Sequence, residues 1–230
     1  MKKSIFTIFT LLILSAFANA QITIMPFVQG DFAHLVRFSN ARYQEDFTPK
    51  LSYTFGISGN YAFSKKWELK SGLIFQDMGG QREINISFQP GNTFEYALQE
   101  IHYQFISIPI QMQYNFNSSR KITPFIAFGT SVNWNINSYI FGEGISNGEV
   151  VEEEKSDVKD ITRTLNLGTN FSTGLQRKLT KKLNLNLFIS GNILLLSTRI
   201  SEFNFENARH FNIGLGIGLG YTILGQTHQN

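Results

Sequence analysis

Histidines are the residues of this sequence that could most readily serve as catalytic bases, and there are four: His34, His102, His210 and His228. Asp31 with His34 has the residue types of an acid–base pair. His210 with Ser201 has those of a base and its nucleophile. Neither spacing by itself brings two side chains together. We therefore predict no catalytic residue and expect histidines that are hydrogen-bonded or solvated.

An acidic run, Glu149 to Asp160, is the other candidate for a binding site, and its carboxylates lie at Glu152, Glu153, Glu154, Asp157 and Asp160. It lacks the glycine and the terminal glutamate of a calcium loop. No histidines have the spacing of metal ligands. The chain contains no cysteine, which excludes thiolate ligands, thiol nucleophiles, disulfides and a lipid-anchored N-terminus. We predict no metal and no cofactor, and interpret the run as a solvated acidic loop.

The N-terminus has the three parts of a secretory signal peptide. Lys2 and Lys3 precede an apolar run from Ile5 to Phe17. Ala18-Asn19-Ala20 then supplies small residues at the two positions that a signal peptidase reads. The apolar run is shorter than the roughly 20 residues that a spanning helix needs. We predict a cleaved signal peptide at residues 1–20, followed by one domain at residues 21–230.

The composition of the chain is unusual for a soluble domain. Hydrophobic residues make up 42% and aromatic residues 14%, but charged residues make up only 16%. Soluble domains carry about 25% charged residues, so a water-facing surface would be short of charge. The longest aliphatic run after Ala20 is Ile193 to Leu196, far below the length of a spanning helix. Any membrane crossing must therefore be made by β-strands.

Apolar and polar residues alternate with a period of two, which is typical of β-strands. In the clearest stretch, Phe211 to Ile223, large apolar residues occupy the odd positions, and glycine, asparagine and threonine occupy the even ones. The same pattern recurs at Leu51–Phe63, Ile106–Phe116, Ile122–Ile136 and Leu183–Asn192, more weakly at Trp67–Phe75 and Leu165–Leu179, and least regularly at Ile22–Leu35. These stretches predict about eight strands.

The polar face of these strands indicates which side points outward. It carries glycine, asparagine, serine, threonine and glutamine rather than charged residues. Such small neutral groups suit the narrow lumen of an eight-stranded barrel, with the apolar face turned to lipid. A soluble lipocalin-like barrel, with the faces reversed, is the alternative. Glu68, Lys70 and Lys178 fall on the inward face, where we expect a plug of salt bridges and amide hydrogen bonds rather than a narrow polar pore.

Short and long connections alternate along the chain, as in up-and-down outer-membrane barrels. The short ones are basic: Ser64–Lys66, Asn117–Lys121 and Thr180–Lys182. The long ones carry acids: Ser39–Lys50, Gly79–Glu100, Gly142–Asp160 and Ser201–Ala208. An even number of strands puts both termini on the periplasmic side. The predicted fold is all-β, an antiparallel up-and-down transmembrane β-barrel of about eight strands.

Several motifs resemble those of a known family, the PorT-like small outer-membrane β-barrels. They are Trp67-Glu68-Leu69-Lys70-Ser71-Gly72-Leu73, Ile106-Ser107-Ile108-Pro109-Ile110 leading to Tyr114-Asn115-Phe116, Thr123-Pro124-Phe125-Ile126-Ala127-Phe128-Gly129, and the closing Gly214 to Tyr221. The resemblance extends over nearly the whole mature chain. It implies the barrel fold and location in the cell outer membrane, and it implies no particular activity.

Three functions fit these observations. A structural or interaction barrel, whose long acidic external loops contact a partner, ranks first. A narrow channel or transporter for small or hydrophobic solutes ranks second, and a rim enzyme acting on lipid or peptide ranks third. We predict that the protein is not an enzyme. The expected partners are outer-membrane lipid, the barrel assembly machinery and a protein bound through the external loops, without nucleic acid.

Overall fold

The computed structural model describes residues 21–37, 47–85, 96–116, 121–146, 149–196 and 208–224. The predicted signal peptide lies outside the described residues, as do Ser201 and His228. So do most of the predicted connections Ser39–Lys50 and Ser201–Ala208, the middle of Gly79–Glu100 and most of the turn Asn117–Lys121.

The described chain forms nine antiparallel strands and one short 3₁₀ helix, Lys159–Ile161. All but one of the strands contain a stretch in which apolar and polar residues alternate. The strands are β1 (Gln21–Arg37), β2 (Lys50–Ala62), β3 (Trp67–Asn85), β4 (Tyr96–Asn115), β5 (Ile122–Ser146), β6 (Glu149–Asp157), β7 (Leu165–Lys178), β8 (Leu183–Leu194) and β9 (Ala208–Leu224). No helix in the described ranges is long and apolar enough to cross a membrane.

The sheet closes into a ring through two pairings, β1 with β9 and β4 with β5. Eight strands form this ring in the order β1, β2, β3, β4, β5, β7, β8, β9. The ninth, β6, pairs with the second half of β5, whereas β7 pairs with the first half. β6 and β7 therefore follow one another along β5. The predicted up-and-down barrel of about eight strands is confirmed.

The two ends of the ring differ. At the turn end, β2, β4 and β7 join the next ring strand through a few residues each. At the loop end, four strand segments continue past the point where β2 stops pairing with β3, after Thr54 with Gln76. They are residues 77–85 of β3, 96–104 of β4, 137–146 of β5 and the whole of β6, and they pair as one small sheet. We call this sheet the extension.

Two of the predicted long connections are wrong in part, because the extension forms strands there. Gly142–Asp160 was predicted as a solvated loop, but it forms most of a β-hairpin that ends in the 3₁₀ helix. Gly79–Glu100 likewise is strand up to Asn85 and again from Tyr96. β6 lacks apolar alternation because water meets both of its faces, so neither face needs apolar residues. The hairpin is instead specified by cross-strand backbone pairing.

The faces of the ring strands are those that the alternation predicts. Large apolar side chains lie on the outside, among them Phe55, Ile57, Ile110, Phe128, Leu187, Leu215 and Leu219. Small polar side chains are buried inside, among them Ser58, Gln111, Asn133, Asn166, Ser172 and Asn212. Leu215 is 67% exposed, whereas Asn212, three residues earlier in β9 and on the opposite face, is 2% exposed. The apolar face is therefore the outer one.

β1 alternates poorly because large apolar side chains also occupy its inner face. Met25 and Phe27 are buried in the lumen. Glycines of β9 leave the space that such inward side chains need. A Cβ atom on Gly218 would lie 2.9 Å from Met25 Sδ, and one on Gly216 would overlap the ring of Phe188. The glycine positions of β9 are thus explained by their bulky neighbours.

Candidate functional site

The lumen is the first candidate site, and near the turn end it is filled by aromatic side chains. Phe27, Phe125 and Phe188 form a buried cluster. Phe27 on β1 and Phe125 on β5 come from opposite sides of the eight-stranded ring. The ring centroids of Phe27 and Phe188 lie 5.7 Å apart in an edge-on arrangement. The Lys70 ammonium lies 5.4 Å from the centroid of Phe188, a cation–π contact that again joins opposite strands, β3 and β8.

The middle of the lumen is a network of amides and hydroxyls. Asn192 of β8 donates to Gln76 Oε1 of β3 across the full width of the ring, at 3.2 Å. Asn133 Oδ1 accepts from Gln76 Nε2 at 3.1 Å and from Ser107 Oγ at 2.7 Å. A cavity of about 60 Å³ remains beside this network, lined in part by Gln111. That space is large enough for about four water molecules.

Toward the loop end the lumen becomes apolar. Tyr103 of β4 and His210 of β9, again on opposite strands, are both completely buried, with ring centroids 4.4 Å apart. Around them lies a buried cluster that includes Leu35, Met78, Ile101, Phe105, Ile140 and Leu194. Among the described residues, the two ring nitrogens of His210 and the Tyr103 hydroxyl have no hydrogen-bond partner. Opposite walls therefore touch at three successive levels of the described lumen.

Of the inward charges predicted from the sequence, Glu68 and Lys70 lie inside and Lys178 lies exposed at the turn end. The Glu68 carboxylate accepts hydrogen bonds from Asn115 Nδ2 at 2.7 Å and from Asn60 Nδ2 at 3.1 Å. The direct partners of this carboxylate are therefore side-chain amides and not the Lys70 ammonium. This arrangement compensates the cost of removing the charge from water.

A second candidate site, the rim cluster of Lys50, Asp77, His102 and Glu100, lies where the extension begins. Lys50 Nζ is 2.7 Å from Asp77 Oδ2 and 2.6 Å from His102 Nδ1. The side chains of Lys50 and Asp77 are 1% and 3% exposed. An ammonium group only donates, so we assign His102 Nδ1 as the acceptor and place the ring proton on Nε2, which lies 3.2 Å from Glu100 Oε2.

The rim cluster adds side-chain contacts between strands that are also joined through their backbones. Regular pairing of β2 with β3 ends at Thr54 and Gln76, and the chain just before β2 meets β3 again at a bridge between Thr48 and Gln81. Between these two points the Lys50 side chain reaches across Gly79 to the acids and imidazole beyond it. The imidazole of His102 stacks on Tyr139 of β5, with centroids 4.6 Å apart. Lys155 of β6 lies 4.0 Å from the centroid of the same tyrosine. One chain of contacts therefore runs from β2 to β6.

The structure separates the catalytic pairs that the sequence suggested. Asp31 and His34 are three residues apart on β1, so their side chains point to opposite faces. Asp31 instead accepts hydrogen bonds from Gln29 and, at 2.5 Å, from Thr54 Oγ1. His210 is buried in the lumen, and its suggested partner Ser201 lies outside the described residues. Among the described residues, no group of three or more histidine and carboxylate side chains is arranged to hold a metal ion.

Sequence reasoning missed the rim cluster. His102 was a candidate without a partner, Lys50 was assigned to a connection, and Asp77 was not singled out. One signal was present: Asp77 is a charge two residues after the weaker alternation of Trp67 to Phe75. Since β-pairing brings distant residues together, the identity of its partners could not be inferred from spacing.

A closed antiparallel ring with an apolar exterior and a polar, filled interior defines a membrane-spanning β-barrel. Residues 26–226 match the family model described as outer membrane protein beta-barrel domain. The chain belongs to this family and is a protein of the outer membrane. No curated protein matches it significantly.

Several solved outer-membrane barrels are similar in structure. Neisserial surface protein A has a TM-score of 0.48 and 13% identity, covering 89% of this chain and 99% of that one. The N-terminal barrel domain of OprF from Pseudomonas aeruginosa has a TM-score of 0.41 and 13% identity, covering 89% and 98%. Ail of Yersinia pestis has a TM-score of 0.37 and 11% identity, covering 88% and 99%.

The outer face of the ring can be tested with one charged substitution. Ile57 is 57% exposed in the middle of β2, and Val150 is 49% exposed on the extension. We expect Ile57→Arg to lower the free energy of unfolding in lipid vesicles by about 2–4 kcal/mol, because arginine would face the hydrocarbon core. Val150→Arg is the matched control and should change it by less than about 0.5 kcal/mol. Folding is followed by the mobility shift between boiled and unboiled samples; equal effects would mean that Ile57 does not face lipid.

Proposed function

We propose that this protein is a non-conducting outer-membrane barrel that presents the extension to a protein partner, in the manner expected of a PorT-like interaction barrel. The observation that carries the proposal is the contact between opposite walls of the lumen, which leaves the extension as the part available for function. A role in surface attachment or secretion falls within this class.

The filled lumen argues against transport. Three contacts cross the ring: Lys70 to Phe188, Gln76 to Asn192, and Tyr103 to His210. A solute on its way through would have to separate all three. The highest level is also packed with apolar side chains, which gives a hydrated ion nothing to replace its water.

The extension supports an interaction role through its position and charge. Longer connections face outward in barrels of this class, and short turns face the periplasm. The described turn-end residues include Lys65, Lys66, Lys181 and Lys182, a basic set suited to inner-leaflet phosphates. The extension is acidic, with Asp77, Glu83, Glu100, Glu143, Glu149, Glu152, Glu153, Glu154 and Asp157 against Arg82 and Lys155. This polarity supports an extension that projects from the outer surface.

Export and assembly complete the proposal. Residues 1–20 act as the cleaved signal peptide, and residues 21–230 form the barrel domain. The barrel assembly machinery inserts the chain into the membrane. The charge of the extension fits a basic protein partner and disfavours nucleic acid.

We assign the rim cluster a structural role and propose no catalytic, metal or cofactor site. Both ring nitrogens of His102 have partners within the cluster, and Lys50 is held by Asp77, so none of these groups is poised toward a substrate. Replacing His34, His102 and His210 together should leave lipid and peptide turnover by the purified protein at background level. Turnover that disappears in this variant would instead establish a rim enzyme.

Conductance of planar bilayers tests the proposed function directly. We expect the full-length protein, inserted from detergent, to give no steady single-channel openings, because the three crossing contacts close the lumen. A porin added to the same bilayer shows that insertion and detection work. Steady openings by this protein would refute the non-conducting barrel and make the narrow channel the correct function.

A further inference from the structure

The outer edge of β6 pairs with no other described strand. Within the described ranges, β6 pairs with β5 and stands last in the order of the sheet. Apart from Val151, whose side chain is not described, its residues are exposed. Strand edges of this length offer backbone donors and acceptors to any extended chain, and proteins usually shorten or cover them.

The register shows which backbone groups face this edge. Val158 donates its backbone N–H to the Ser138 carbonyl at 3.0 Å, in the same register that pairs Tyr139 with Asp157. In an antiparallel ladder, alternate residues bond to the partner and those between them point away. Residues 152, 154 and 156 therefore bond to β5. Glu153, Lys155 and Asp157 direct their N–H and C=O groups to the open side.

The side chains of β6 determine what could occupy that edge. Glu149, Glu152, Glu153, Glu154 and Asp157 give it a strongly negative charge, against the single basic residue Lys155. A second copy of β6 would bring like charges opposite one another, which destabilises a strand pair. A segment rich in lysine or arginine would place opposite charges there instead.

We propose that β6 binds an extended, lysine- or arginine-rich segment of another polypeptide as an added β-strand. Backbone hydrogen bonds to Glu153, Lys155 and Asp157 supply the binding, and the acidic side chains select a basic sequence. This inference rests on the proposed interaction function and names the partner class and the strand that it recognises.

Binding of a defined peptide to the full-length protein in detergent micelles tests the inference. The probe is a fluorescent ten-residue peptide of alternating lysine and valine. Glu153→Pro removes an open-side N–H without removing a bond to β5, a place where an edge strand tolerates proline. We expect it to weaken binding about tenfold or more. Glu153→Gln, the matched control, removes only the charge and should weaken binding about twofold.

A second measurement uses the unaltered protein, so the test stands even if the proline variant misfolds. The same peptide, N-methylated at alternate residues along one edge, keeps its charge but cannot pair as a strand. We expect it to lose binding about tenfold or more. Equal binding of both peptides, equal effects of the two Glu153 variants, or no binding would overturn strand addition.

Two further outcomes separate the alternatives. A dimer of the unaltered protein that disappears in Glu153→Pro would show that a second copy occupies the edge, and would also overturn the inference. Steady bilayer conductance would refute the proposed function itself, whereas loss of peptide binding leaves the non-conducting barrel intact. The two failures are therefore distinguishable.

Discussion

Lys50→Met is expected to lower the free energy of unfolding by about 3–5 kcal/mol, because it leaves the Asp77 carboxylate buried without its ammonium partner. Lys50 and Asp77 are 2.7 Å apart, with side chains 1% and 3% exposed. The measurement is the urea dependence of tryptophan fluorescence for protein folded into lipid vesicles. A loss below about 1 kcal/mol would mean that water reaches Asp77 and that the rim cluster contributes little.

The double variant Lys50→Met with Asp77→Asn is the control for this prediction. The neutral amide needs no counter-charge, and it can donate to His102 Nδ1, which in the native protein lies 3.0 Å from Asp77 Oδ2. We expect the double variant to regain at least about half of the free energy of unfolding that Lys50→Met loses, because the two residues belong to one network. If the two substitutions added without recovery, the loss would come from packing of the lysine stem rather than from the unpaired carboxylate.

Gly79→Ala is the second substitution with a large expected effect. Gly79 has a φ of +148°, a conformation that residues with a Cβ atom rarely adopt, and a Cβ there would overlap the carbonyl oxygen of Ile101. It would also press on Lys50 Cε, 3.1 Å away. We expect the free energy of unfolding to fall by roughly 2–5 kcal/mol from backbone strain and overpacking together. The same urea measurement applies.

Gly30→Ala is the matched control, since a Cβ on Gly30 would have no heavy atom within 4 Å. That substitution should be neutral or slightly stabilising, because alanine restricts the unfolded chain more than glycine does. If both variants behaved alike, the conformation of Gly79 would not be the cause. A Gly79→Ala protein as stable as the native one would also contradict the passage of Lys50 across this position.

The ring itself could be predicted from sequence because each ring strand must satisfy lipid on one face and a narrow lumen on the other. In β9, glycines alternate with Leu215, Ile217 and Leu219, and this pattern has one consistent orientation once the scarcity of charge is considered. β1 alternates least clearly, since Met25 and Phe27 are both apolar and yet face inward. Their burial depends on space left by β9, which no local pattern in β1 reveals.

Of the extension, β6 could not be predicted because neither lipid nor lumen constrains its faces. The other three segments do carry buried apolar side chains, such as Met78, Ile101 and Ile140. β6 is exposed on both faces, so its sequence carries no period, and runs of glutamate are typical of loops. Pairing with β5 alone makes it a strand. The rim cluster was missed for a related reason: Lys50, Asp77 and His102 come from three strands, and only the register brings them together.

The pairing of β1 with β9 joins the two ends of the barrel domain. Gln21 Nε2 donates to Thr222 Oγ1 although the residues are 201 positions apart in the chain. Contacts between such distant residues form slowly, because a long loop must close before any bond compensates for its lost entropy. Until β9 is in place, β1 and β8 both expose unpaired edges. A chain that ends before Ala208 would therefore form an open, aggregation-prone sheet rather than a smaller barrel. Stable incorporation of β1 into the sheet thus depends on the seventeen residues of β9.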